Sequence, residues 1–159
     1  KPLLMESKKQ GLHNAIDTAG NVPWDTFEDI IDYVDLFLYD IKTMDNVAHK
    51  QGTGVPNKII LENFDKLVKK GARIWVRIPI IPGFNDSPHQ MVEIASFIEG
   101  TGGVELVELL PYHNIGQSKY ESLGMDYRGK EIKNSPTREH MNRLGDMFIN
   151  KGINTLLGD

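Results

Sequence analysis

The sequence predicts an α/β protein in which parallel strands alternate with helices. Three observations carry this expectation. Apolar runs of strand length recur five times along the 159 residues. The segments between them space their apolar residues as a helix face does, and glycines stand where those helices should stop. Right-handed crossovers between such units leave two architectures, a doubly wound sheet or a sector of a TIM-like (β/α) barrel. No Pro/Gly/Ser linker or low-complexity stretch divides the chain, so residues 1–159 are expected to form a single domain.

The elements follow in order. Leu3, Leu4 and Met5, then charged residues and Gly11, read as the end of a helix. Residues 12–17 form a short strand. A helix over 23–33 follows, with Pro23 suited to the first turn and Trp24, Phe27, Ile30 and Ile31 at helical spacing. Residues 35–40 are a continuous apolar run, expected to be buried on both faces as in a parallel sheet covered by helices. A helix over 57–70 stops at Gly71, and residues 73–79 form a strand rich in β-branched residues. A helix over 88–99 leads to a strand over 104–110. The segment 115–136 is long for a loop, which predicts a binding or covering role. A last helix over 137–151, with Met141, Leu144, Met147 and Phe148 as its core stripe, stops at Gly152 before a strand over 153–157.

Composition narrows the function. The chain is 40% hydrophobic and 25% charged, with a net charge of −4 and no cysteine. An acidic balance gives no footprint for nucleic acid, and no apolar run approaches the roughly 20 residues that span a bilayer. Neither nucleic acid nor membrane is an expected partner. Without cysteine there is no disulfide, and no secretory apolar region precedes Leu12, so a cytoplasmic setting is expected.

The polar residues collect where chemistry is expected. Asp17, Asp40, Lys42 and His113 each fall at or just beyond the carboxyl end of a predicted strand, the edge that carries the ligand site in parallel βα folds. Alternation puts Leu36, Leu38, Asp40 and Lys42 on one face and Phe37, Tyr39 and Ile41 on the other, against helices. A carboxylate and an ammonium at the rim suit a zwitterion or a ribose diol. Plainer readings stand beside these: Asp17 as a turn residue, Asp40 and Lys42 as a structural ion pair, His113 as a loop histidine. Arg77, inside an apolar strand, needs a carboxylate such as Glu108 or a ligand anion. His13 reads as structural. His49, His89 and His140 lack metal-ligand spacing and read as solvated. Gly100, Gly102 and Gly103 precede a strand, where a phosphate cradle is not expected. Two alternatives remain from residues alone: a cluster-free α/β module binding an adenosyl compound or sugar phosphate, and a hydrolase holding a metal with Asp17, Asp40 and His113.

Longer motifs point further. His13-x-x-x-Asp17-Thr18-x-Gly20, Asp35-Leu36-x-Leu38-x-Asp40-x-Lys42-x-Met44-Asp45 and His49 with Thr53-Gly54-Val55-x-Asn57 occur in sequence. Trp75-x-Arg77 with Ile81-Pro82-Gly83, then Glu108-Leu-Leu-Pro-Tyr-His113-x-x-Gly116-x-x-Lys119-Tyr120-x-x-x-Gly124, complete the set. In order and spacing these motifs resemble the glycyl-radical-enzyme activating enzymes of the radical S-adenosylmethionine superfamily, most of all the branch that acts on pyruvate formate-lyase. The resemblance implies a partial barrel that binds S-adenosylmethionine on a four-iron, four-sulfur cluster and cleaves it reductively to a 5′-deoxyadenosyl radical. That radical takes a hydrogen from a glycine of the partner. The implied partners are a glycyl radical enzyme such as pyruvate formate-lyase and a flavodoxin or ferredoxin-type electron donor. By the same resemblance Asp17 lies near the methionyl amino group, Asp40 and Lys42 engage the methionyl carboxylate and ribose hydroxyls, and His113 lines the pocket, with Arg77 a further candidate.

The family's Cys-x-x-x-Cys-x-x-Cys loop and its Gly-Gly-Glu segment have no counterpart in the 159 residues. The expectation is therefore a truncated barrel without its first two βα units, inactive by itself. Its strand over 12–17 would be an open edge that invites self-association.

Overall fold

A computed structural model describes residues 1–113, 120, 122–126, 132 and 134–158. Five parallel strands stand in chain order, β1 (Ala15–Thr18), β2 (Leu36–Asp40), β3 (Ile74–Ile80), β4 (Leu106–Pro111) and β5 (Thr155–Leu157). The helices are α1 (Pro2–Lys9), α2 (Trp24–Glu28), α3 (Asn46–Thr53), α4 (Lys58–Lys69), α5 (Pro88–Thr101) and α6 (Arg138–Ile149).

The strand order decides between the two architectures. A doubly wound sheet reverses its order and carries helices on both faces. Here every strand lies beside its predecessor, and α2, α4, α5 and α6 all feed one buried cluster. Phe27, Phe64, Leu67, Ile94, Ile98, Leu144 and Phe148 meet Phe37, Tyr39, Val76, Ile78, Val107 and Leu109 there. The fold is a sector of a parallel barrel with its helices outside.

Strand alternation is plainest in β3, where Ile74, Val76, Ile78 and Ile80 are buried while Trp75, Arg77 and Pro79 are half-buried. Burial on both faces, expected for residues 35–40, is found only in part. Phe37 and Tyr39 are buried against helices as anticipated and Leu36 is buried on the inner face, but Leu38 and Asp40 stay half-buried. The physical reason is that among the described residues no layer covers the inner face of the sector.

At the centre of the core, Tyr39 packs at a tilt against Phe64 with ring centroids 5.5 Å apart and donates its hydroxyl to Ile60 O at 2.7 Å. Burial pushes its phenol well above the ordinary range. Gly20 lies against the same hydroxyl. With φ +70° and a Cβ that would sit 1.8 Å from Tyr39 Oη, this position admits only glycine without rearrangement.

The largest departures from expectation are three. The helix over 23–33 ends at Glu28 and resumes as a 3-10 turn, Ile31–Tyr33. Asn14, almost fully buried, explains the break. Its amide donates to Leu4 O and Tyr33 O, its N–H to Asp35 Oδ2, and its carbonyl accepts from Asp35 N and Leu36 N. This pulls the end of the helical segment onto the start of the sheet. The first strand begins at Ala15, because Leu12 and His13 are exposed and Leu12 N bonds back to Ser7 O. Helix α3 was not expected at all. It buries only His49, so it carries no apolar stripe, and it is held by its Asp45 N-cap, whose carboxylate accepts from Val47 N and Ala48 N. The long segment 115–136 lies mostly outside the described residues. Among the described residues no helix is long and apolar enough to cross a membrane.

Candidate cofactor site at the carboxyl edge of the sheet

Strand register builds the site. Parallel pairing sets Asp40 of β2 beside Arg77 of β3, and Arg77 beside Glu108 of β4, all on the inner face. Asp17 sits on β1 beside Leu38, one row deeper. Arg77 reaches across β2 and donates from Nη1 to Asp17 Oδ2 at 2.7 Å. Its Nε lies 3.3 Å from Glu108 Oε2, close enough for charge attraction but too poorly directed for a hydrogen bond. This buried N–H has no hydrogen-bond partner among the described residues. Beyond the ladder, Lys42 Nζ donates to Asp40 Oδ2 at 2.8 Å, with both side chains about a quarter exposed (22% and 25%).

The structure thus joins Asp17 to Arg77 and Asp40 to Lys42, and sets the two ion pairs side by side. The turn reading of Asp17 gives way: Thr18, not Asp17, closes the following turn, accepting from Gly20 N. His113 follows β4 by two residues at the same edge, and Tyr112 N still bonds Ile80 O at 3.1 Å, which carries the pairing up to it. For Arg77 the sequence offered Glu108 or an anion. The structure gives it two carboxylates, the nearer from β1, a strand far away in sequence. Three carboxylates, Asp17, Asp40 and Glu108, against two cations, Lys42 and Arg77, leave these linked contacts with one negative charge in excess. Asp17, bonded to Arg77 yet 62% exposed at its side chain, leaves part of its carboxylate open to solvent, which suits a ligand ammonium.

Two histidine assignments are corrected. His49 is not solvated but buried, with Nδ1 2.7 Å from Val55 O and 3.1 Å from Thr53 Oγ1, because the chain after α3 folds back over it. His140 is largely covered, with Nε2 3.0 Å from Asp86 O. His89 is exposed as expected. Sequence reasoning also missed Asn85. It is fully buried behind the rim, and nothing in its residue type separates it from an ordinary turn asparagine.

The cofactors implied by the motifs fare differently. No thiolate exists in these 159 residues, so nothing here holds an iron–sulfur cluster. Among the described residues no group of three or more His, Asp or Glu is placed to hold a metal ion. That removes support for a hydrolase built on Asp17, Asp40 and His113. The rim does fit S-adenosylmethionine, whose methionyl end presents an ammonium, a carboxylate and, next to it, a ribose diol. At the opposite edge an open cavity of about 410 Å³ is lined by Glu28, Asp32, Asp35, Lys70 and Arg73. Except for Asp32, its charges are spent on one another and on neighbours. Lys70 pairs with Glu28 and Lys8 with Asp35, while Arg73 and Trp75 hold the Glu105 carboxyl below its ordinary range. In barrel folds this amino edge serves stability.

Comparison with known proteins identifies the family. The pattern of the Radical SAM superfamily matches residues 1–98, well over half of the chain. The chain belongs to the radical SAM superfamily. Its relatives include the 4-hydroxyphenylacetate decarboxylase activating enzyme of Clostridioides difficile, 36% identical over 158 residues, covering 98% of this chain and 49% of the relative. The trans-4-hydroxy-L-proline dehydratase activating enzyme of the same organism is 37% identical over 153 residues, covering 95% and 50%. The pyruvate formate-lyase-activating enzyme of Clostridium pasteurianum is 40% identical over 132 residues, covering 82% and 55%. A crystallised domain of the pyruvate-formate lyase-activating enzyme from Bacteroides vulgatus superposes with a TM-score of 0.82 at 25% identity, over 99% of this chain and 88% of that one. The radical SAM chain spans about half the length of the curated relatives it matches. Its likeness to activating enzymes, first carried by short motifs, extends over nearly its whole length.

Proposed function

We propose that these residues are the portion of a glycyl-radical-enzyme activating enzyme that grips S-adenosylmethionine, and that the first two βα units and the cluster-binding cysteines belong to sequence outside them. The adjoining ion pairs at the carboxyl edge carry the reading. In it, the Asp17 carboxylate accepts from the methionyl ammonium while Arg77 fixes that carboxylate in place. Lys42 donates to the methionyl carboxylate, and Asp40 orients Lys42 and accepts from the ribose hydroxyls; His113 closes the pocket. The cluster supplies the electron for reductive cleavage in the whole protein, and this chain alone is inactive. The substrate of the whole protein is a glycyl radical enzyme such as pyruvate formate-lyase, its reductant a flavodoxin or ferredoxin-type donor, and its setting cytoplasmic. Support comes from the named relatives, all of them activating enzymes of partner enzymes.

The test is 5′-deoxyadenosine formation by the full-length protein, reconstituted without oxygen with iron and sulfide and supplied with reductant. Lys42→Met and Asp17→Asn each raise the S-adenosylmethionine concentration needed by about tenfold or more, the size of a lost charge-assisted hydrogen bond. Unchanged dependence in both variants contradicts the assignment.

A further inference from the structure

Lys42 stands where the sheet no longer holds the chain. Ile41 N still bonds Arg77 O at 3.0 Å, and the ladder of β2 and β3 ends there. Yet the Lys42 to Asp40 contact, two residues apart on one face, requires the backbone to stay extended past that end.

The next three carbonyls explain how. Asn85 Nδ2 donates to Lys42 O at 2.7 Å and to Pro79 O at 2.8 Å, and its Oδ1 accepts from Ile81 N at 2.7 Å. Asn57 Nδ2 donates to Thr43 O at 3.0 Å and to Met44 O at 2.9 Å. Both asparagines are buried, as is Thr43, whose Oγ1 accepts from Asp45 N. Carbonyls 42, 43 and 44 are thus bound by two amides from later in the chain, Asn85 holding the first and Asn57 the other two. Buried backbone groups need partners, and these partners are directional where a solvated loop would use water. Asn85 also ties the Lys42 backbone to the end of β3, the strand that carries Arg77.

We infer that Asn85 and Asn57 are positioning residues that set the Lys42 ammonium against Asp40 by fixing the backbone that follows β2. What Lys42 then grips rests on the function proposed above; the clamp itself does not. Asn63 supplies the control. It is equally buried and donates to two carbonyls, Gly20 O and Val22 O, but serves the loop after β1.

The Lys42 side chain reports the outcome directly. In the uniformly labelled 159-residue chain, the 15Nζ–13Cε correlation of Lys42 is assigned by its loss in Lys42→Arg, and Asp40→Asn defines its position without the ion pair. Asn85→Ala and Asn57→Ala are expected to move the signal most of the way to that position. Asn63→Ala is expected to lower the melting temperature comparably and leave the signal in place. If the asparagine variants melt earlier but the Lys42 signal stays, their role is structural and the inference is overturned. If Asn85→Ala does not fold, Asn57→Ala decides alone by the same readout. The spectrum is read without S-adenosylmethionine, so failure of that ligand to bind counts against the proposed function and not against the clamp.

Discussion

Arg77 is the residue on which the rim's electrostatics turn. It is the only cation between Asp17 and Glu108 in the described contacts, and its side chain is 24% exposed, so its removal leaves the half-buried Glu108 without a counter-charge. Arg77→Met is expected to cost about 1–2 kcal/mol in urea unfolding, less than a fully buried pair because Asp17 is solvated. Glu108→Gln in that background should recover part of the loss. An unchanged midpoint for Arg77→Met would mean that the ion pairs contribute nothing. A charge inside an apolar strand was readable in the sequence as needing a partner; which partner was not, since Asp17 lies 60 positions away and only strand register brings it near. Residue type was equally silent about Asn57 and Asn85. An asparagine in a turn looks the same whether it faces solvent or clamps two carbonyls. His49 misled for the related reason that its cover comes from polar contacts, with Thr53 at the end of α3 and Val55 just beyond it, on a helix without an apolar stripe.

Elements were legible where burial imposes a period. The apolar runs at 35–40 and 73–79 and the stripe of Met141, Leu144 and Phe148 gave strands and helices close to those observed, since their spacing is what the core selects. Where polar contacts set the boundary, as Asn14 does for the break after α2, periodicity carried no signal. β1 is the element with the clearest consequence. Among the described residues it pairs only with β2, its outer edge is open, and Leu3 and Leu12 nearby are strongly exposed (82% and 61%). Such an edge templates further pairing. Light scattering on the 159-residue chain is expected to show dimers or larger species, and a Lys at Ala15 (Ala15→Lys) to shift it toward monomer. A monodisperse monomer at high concentration would contradict the open edge.

At the scale of the molecule, sequential strand order, helices on one face and charged residues on the other make one statement. Residue pattern alone left two architectures open, because helix-covered faces and strand order are not written in it; the motifs, through their resemblance, had already pointed to the partial barrel. Five strands in sequence form a wall with its carboxyl edge furnished and its inner face half-covered, which is what a sector of a larger barrel requires. Membership of the radical SAM superfamily and likeness to activating enzymes over the same span fit that wall. The central claim is that the furnished edge recognises the methionyl and ribosyl end of S-adenosylmethionine. Titration of the 15N-labelled chain with millimolar S-adenosylmethionine tests it most directly. The account predicts amide shifts confined to the carboxyl edge, around Asp17, Asp40 to Lys42, Arg77 and His113, that vanish in Lys42→Met. Shifts confined to the opposite cavity around Asp35 and Arg73, or no shifts at all, would contradict it.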